Sequence, residues 1–206
     1  MKGRILYIHG MGGGEDSRIP SILSASFDVV VRTYSFNPEQ ARTQISSWID
    51  ELNPVLLIGE SLGAIHTLYF SSKRKIPCIL VSPALNTPVH FRLLAPLSLI
   101  PGVGRYFLWR HKPRSERRQR LVVDYKILKK WYPFRADALS DRDAPVIKAF
   151  FGRHDHYRKS GVVSIKGFSS RFGDVYEIYD GTHYMEEEFI ESLLIPEIDK
   201  ALQRLL

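Results

Sequence analysis

Ser61 stands in the run Val55-Leu-Leu-Ile-Gly-Glu-Ser-Leu-Gly-Ala64, flanked at two residues' distance by Gly59 and Gly63, directly after an apolar stretch and directly before a helical pattern. A serine hydroxyl is a weak nucleophile at neutral pH. It becomes effective only where a base takes its proton and fixed donors hold the negative charge that its attack creates. A sharp turn from strand into helix supplies part of this, because it puts the side chain at a helix N-terminus, where free amides and the positive dipole end favour developing negative charge. Such a turn brings backbone segments close together, and Gly59, Gly63 and Ala64 give the clearance it needs. Gly-x-Ser-x-Gly alone recurs by chance, and a glycine-flanked serine also caps ordinary helices. The place between strand and helix is what singles out Ser61.

Other groups on the chain could serve as acid, base or ligand. Asp155 lies between His154 and His156, which raises a metal site. Neighbouring side chains in such a triplet point apart, and no second His or Asp cluster at ligand spacing accompanies it, so no metal is expected. His183 ends Tyr179-Asp-Gly-Thr-His183, where Asp180 is a competing acid in a position that suits a turn-former beside Gly181. Asp137, Asp141 and Asp143 compete less well, since all precede the apolar run from residue 146. His66, on the helix after Ser61, is expected to be exposed, and His90 and His111 belong to a later insertion. His9 opens Ile8-His-Gly-Met-Gly-Gly-Gly14. That loop lacks both the Gly-x-x-x-x-Gly-Lys-Ser/Thr and the Gly-x-Gly-x-x-Gly fingerprints, so it is not read as a phosphate cradle and no cofactor is implied.

The elements that must position these groups are legible as alternation. Short apolar runs rich in β-branched and aromatic residues recur at 4–9, 28–34, 55–59, 78–82, 146–151 and 175–179. Helical patterns lie between them. One follows Asn37 as cap, with Pro38 in the first turn and Ala41, Ile45, Trp48, Ile49 and Leu52 on one face. Others cover 62–73, 157–171 and 186–206, the last interrupted at Pro196. Strands alternating with helices predict a parallel sheet covered on both faces. The alternation stops between Ser82 and Val146, where helical candidates lie near 115–131. The chain is thus read as one core, 1–84 and 144–206, carrying a basic, mainly helical cap insertion over 85–143.

With this order in hand, the chain resembles the α/β-hydrolase family, and within it small serine hydrolases with a cap between the sixth and seventh strands of the family's full sheet. The match spans nearly all of the chain outside the insertion. Nucleophile, acid and histidine follow one another along the sequence in that family. Gly152-Arg-His-Asp155 ends the fifth strand here in the usual setting of the acid, and His183 ends the sixth in the usual setting of the base. The resemblance implies a Ser61-His183-Asp155 triad, and an oxyanion hole made by the amides of Met11, in the His-Gly loop, and of Leu62, next to the nucleophile. His9 becomes a scaffold residue. The implied fold is an open, mainly parallel six-stranded sheet in the order 2-1-3-4-5-6. The implied activity is hydrolysis of a carboxylic ester or related acyl compound. The alternative is a non-catalytic member that uses its basic insertion to hold an anionic partner.

Composition sets the outer bounds. The 206 residues, 44% hydrophobic and 25% charged, have room for one domain with an insertion and exclude disordered or collagen-like classes. One cysteine, Cys78, rules out an intrachain disulfide. The N-terminal run leads into a His-Gly turn and not into a cleavage site, so a cytoplasmic protein is expected. Of the net charge of +7, the interval 85–143 carries +8, with thirteen Lys or Arg against five acids, and the remainder is close to neutral. Local basicity of this kind argues against nucleic acid as partner. It suits an anionic substrate, an acidic membrane surface or a solvated face. The apolar tract 91–109 beside the basic run 110–120 fits an acyl pocket or shallow membrane contact, unless it merely packs the insertion onto the core.

Overall fold

In the computed structural model, residues 3–110, 112–113, 115–140 and 144–205 are described; His111, Arg114, Asp141 and Asp143 lie outside them. Strands β1 (Ile5–Ile8), β2 (Val29–Val31), β3 (Leu56–Glu60), β4 (Cys78–Val81), β5 (Val146–Gly152) and β6 (Tyr176–Tyr179) form one parallel sheet in the order β2-β1-β3-β4-β5-β6. The order that the family resemblance implies is the order found. Side chains of successive strand residues point to opposite faces. Leu6, Ile8, Leu57, Leu80 and Phe151 accordingly join one core layer, while Ile5, Tyr7, Ile58, Val81 and Phe150 join the other. Helices α1 (Arg18–Leu23) and α9 (Ile195–Leu205) cover the second layer, and α2 (Pro38–Leu52), α3 (Gly63–Arg74), α6 (Tyr125–Ala138) and α7 (Ile165–Phe172) cover the first.

Local chemistry explains most element ends. The Asn37 side chain accepts from the amide of Glu39 and Pro38 opens α2; Asn53, in the left-handed region at φ 45°, ends it. Asp124 caps α6 through the amides of Lys126 and Ile127, so the helix expected over 115–131 begins ten residues later than that expectation. The helix expected from 157 begins only at Ile165, because the chain first turns at Gly161, φ 74°. Pro196 falls in the first turn of α9, and the helix reaches it through short α8 (Glu187–Phe189) and a π-helical turn over Ile190–Leu194. Among the described residues no helix is long and apolar enough to cross a membrane.

Between β4 and β5 the chain forms α4 (Thr87–Leu94), a 3-10 turn (Ala95–Leu99), α5 (Val103–Arg110) and α6. Helix α6 is built into the core: Trp131 is wholly buried, with Leu128, Phe134 and Ala138 beside it. That packing corrects the expectation for His66. With the sheet on one side of α3 and α6 on the other, nine of its twelve residues are buried, and the His66 ring lies among Tyr34, Trp131 and Phe134. Neither of its ring nitrogens has a hydrogen-bond partner. His9 is equally buried, stacked on Tyr34 with ring centroids 4.3 Å apart.

Two buried imidazoles make stability depend on pH. Burial holds His66 down to about 3 and His9 to about 4, whereas both titrate near 6.5 in an unfolded chain. Above about 6.5 neither state binds these protons and stability is complete. Below it the unfolded chain takes up protons that the fold refuses, and stability falls by up to ~1.4 kcal/mol per pH unit for each ring until the folded values are reached. Urea unfolding should therefore give a plateau at neutral pH and a steep decline towards about pH 4. His66→Phe should flatten that decline by about one proton. An unchanged slope in that variant would remove His66 as its source.

Candidate active site

Strand order places the site. The connection after β1 runs to β2 on one side and the connection after β3 runs to β4 on the other, so the loops after β1 and β3 diverge and leave a crevice at the carboxyl ends of those strands. Ser61 follows β3 and His9 to Asp16 follow β1. Ser61 adopts a left-handed conformation, φ 50°, and is half-buried. Its amide donates to the carbonyl of Val81 at 2.9 Å, and its carbonyl accepts from Ala84 at 3.1 Å, so the turn is fastened to the end of β4. The flanking glycines are required by contact. A Cβ on Gly59 would come within 2.2 Å of Thr67 Oγ1, and one on Gly63 within 2.3 Å of the Ile8 carbonyl oxygen.

Ser61 Oγ lies 2.9 Å from His183 Nε2, and His183 Nδ1 lies 2.6 Å from Asp155 Oδ2. The Asp155 carboxylate is acceptor only, which puts the proton of neutral His183 on Nδ1 and leaves Nε2 to accept from the Ser61 hydroxyl. Asp155 and His183 are both almost wholly buried. The other carboxylate oxygen of Asp155 accepts from the amide of Tyr157 at 2.8 Å. Asp180, the competing acid, is 73% exposed in its side chain and pairs with His154 and Arg153 instead. Asp137 is on α6, 4.0 Å from Arg42. The loop that carries His183 is lashed at several points: the Thr182 hydroxyl and amide donate to Glu186, Tyr179 donates to the Thr182 carbonyl, and Arg18 donates to the carbonyls of Tyr184 and Met185.

The loop after β1 runs against the serine, since a Cβ on Gly10 would lie 3.0 Å from that of Ser61. His9, kept neutral by burial, donates from Nδ1 to the Gly10 carbonyl at 2.7 Å. Tyr34 donates to the His9 carbonyl, and Gly13 donates to that of Gly10. Among the described residues no acceptor within the chain takes the amide of Met11 or of Leu62.

Sequence reasoning missed Gln119. It is buried, its Oε1 accepts from the amide of Gly12 at 3.1 Å, its Nε2 donates to the Tyr34 carbonyl at 3.1 Å, and its own amide donates to Gly13 at 2.8 Å. Around it, Arg118 bridges to Gly14 and pairs with Asp16 at 2.8 Å, and the Arg117 carbonyl accepts from Glu15 and from the Thr33 hydroxyl. Part of the basic run is thus a strap on the glycine loop. No periodicity marks this role; the one signal is a neutral amide inside Arg114-Ser-Glu-Arg-Arg-Gln-Arg120. Gln119→Ala removes the acceptor of the Gly12 amide and should speed its exchange by roughly tenfold while leaving β1 protected. Equal exchange in both proteins would mean that the loop holds its shape unaided.

No protein-family model matches the chain, and no curated protein matches it in sequence. Solved structures match its shape over almost its whole length. A monoacylglycerol lipase from Paleococcus ferrophilus is 17% identical with a TM-score of 0.65, the match covering 98% of this chain and 94% of that one. Est1E from Butyrivibrio proteoclasticus is 16% identical with a TM-score of 0.59 over 96% and 89%. An alpha/beta hydrolase fold protein from Burkholderia ambifaria is 14% identical with a TM-score of 0.62 over 97% and 91%. Sheet order, the turn at Ser61 and these likenesses agree: the chain has the α/β-hydrolase fold.

Proposed function

We propose that this chain is a serine hydrolase that cleaves a carboxylic ester or a related acyl compound through an acyl-enzyme. The observation that carries the reading is the unbroken line of hydrogen bonds from Ser61 through His183 to Asp155, at 2.9 and 2.6 Å. Ser61 Oγ attacks the substrate carbonyl as His183 Nε2 takes its proton. Asp155 keeps the ring in the required tautomer and stabilises the imidazolium. The oxyanion of the tetrahedral intermediate accepts from the amides of Met11 and Leu62, each donor of this kind contributing about 3 to 4 kcal/mol to the transition state. His183 then gives its proton to the leaving group, and water, activated by the same ring, releases the acyl group and restores Ser61.

The acyl group would be read by the part of the interval 85–143 that lies outside α6, acting as a cap on the core. The part before α6 is free for that role, because α6 belongs to the core. That one structural neighbour is a monoacylglycerol lipase supports an acyl substrate without choosing one.

Two experiments test the assignment. Ser61→Ala should lower kcat on short acyl esters by about a thousandfold or more with an unchanged circular dichroism spectrum. Wild-type protein inert towards every short and medium acyl ester would overturn the catalytic reading in favour of a binding protein. Among the acids, Asp155→Asn should lower kcat by roughly two to four orders of magnitude through loss of tautomer control. Asp180→Asn, at an exposed pair, should change it by less than about threefold. The reverse ranking would transfer the orienting role to Asp180.

A further inference from the structure

The tract between Phe91 and Arg110 is where the surface departs most from that of an ordinary soluble chain. Thirteen large hydrophobic residues are exposed among the described residues, and eight of them, Leu93, Leu94, Leu97, Leu99, Ile100, Tyr106, Leu108 and Trp109, fall within seventeen positions. The other five are scattered singly, as is normal. If these side chains served to pack the insertion onto the core they would be covered, and they are not: Leu93 is 70% exposed, Leu99 66% and Trp109 71%. Anchoring is done by others. Phe91 packs against Phe36 and Trp131, Ala95 is wholly buried, and Phe107 packs on the core from α5. The segment is therefore held down by one set of residues and presents another.

Charge identifies what it presents them to. From Phe91 to Arg110 there are three arginines and no acid. Arg92 and Arg105 are exposed, as is Lys112 beyond the helix. Tyr106 and Trp109 stand one turn apart on α5, with ring centroids 6.1 Å apart, and both are amphipathic aromatics of the kind that settle where hydrocarbon meets water. A second copy of this chain would bring arginine against arginine, whereas an anionic lipid surface offers hydrocarbon for the leucines and phosphate for the cations.

We propose that α4, the 3-10 turn and α5 form a docking surface for an anionic phospholipid bilayer. Binding requires nothing of Ser61. Delivery of the acyl substrate from that bilayer to the site is a consequence that rests on the hydrolase reading.

The test uses the whole protein with vesicles of phosphatidylcholine alone or mixed with phosphatidylglycerol. Wild type should float with the anionic vesicles at low salt, bind them roughly tenfold more tightly than neutral ones, and lose that preference at high salt. Its tryptophan emission should shift to the blue, since Trp131 is buried and Trp48 half-buried, leaving Trp109 as the exposed reporter. Leu97→Ser with Leu99→Ser and Trp109→Ser should weaken binding at least about tenfold; Arg92→Gln with Arg105→Gln should abolish the preference for anionic lipid. Ser61→Ala should bind like wild type, which separates docking from catalysis. Absence of vesicle binding, undiminished binding by the Leu97/Leu99/Trp109 variant, an unchanged lipid preference in the Arg92/Arg105 variant, or a blue shift produced by self-association without lipid would each overturn the proposal.

Discussion

A single backbone conformation governs the site. Ser61 is held at φ 50°, a region that costs a residue with a Cβ on the order of 1 to 3 kcal/mol and survives only where its surroundings impose it. Here the imposition is mutual. The Ser61 amide is tied to β4 at Val81, its carbonyl to Ala84, and the helix that follows rests on the carbonyls at the end of β1, at a distance that only glycine at 63 allows. Three adjacent strands thus meet on one residue. Relaxing the turn would misplace the hydroxyl and would also unseat α3, which carries buried His66 and supports α6.

The other groups come from far along the chain and are brought in by topology. Ser61 and His183 are 122 residues apart, yet β3 and β6 are members of the same parallel sheet, with their carboxyl ends on one edge. Parallel strands guarantee that every loop following a strand reaches that edge, and the side chains need only the right loop lengths. What remains is orientation, and the structure spends many hydrogen bonds on it. Glu186, Tyr179 and Arg18 hold the loop of His183, and Tyr157 holds the carboxylate of Asp155. The glycine loop is held by Tyr34 and by Gln119. Low-polarity surroundings make such fixed dipoles count for more than they would in water.

The strands and the triad candidates were legible because each has a local signature: β-branched runs ended by Gly59, Gly152 or Gly181, and acid or base immediately after them. Sheet order came with the family resemblance, which rests on the order of those same signatures. Sequence alone makes His66 look exposed because a helix after a strand usually shows one face to solvent, and nothing in its own residues announces that α6 covers that face. Gln119 is invisible for a related reason, since its bonds go to Gly12 and Tyr34 and it stands in a run of arginines, which reads from sequence as a solvated surface. The apolar tract 91–109 was legible as apolar; whether it faced inward depended on tertiary packing that its own pattern does not encode. Segments that owe their role to distant partners escape periodicity, and in this chain they cluster between β4 and β5.

The central claim is that the geometry around Ser61 makes its hydroxyl reactive, and covalent trapping tests that most directly. Intact-mass analysis after treatment with a fluorophosphonate should give one adduct per chain, mapped by peptide sequencing to Ser61 and lost on heat denaturation or in His183→Ala. A protein that takes up no adduct, or carries it on other serines to the same extent when unfolded, would contradict the account.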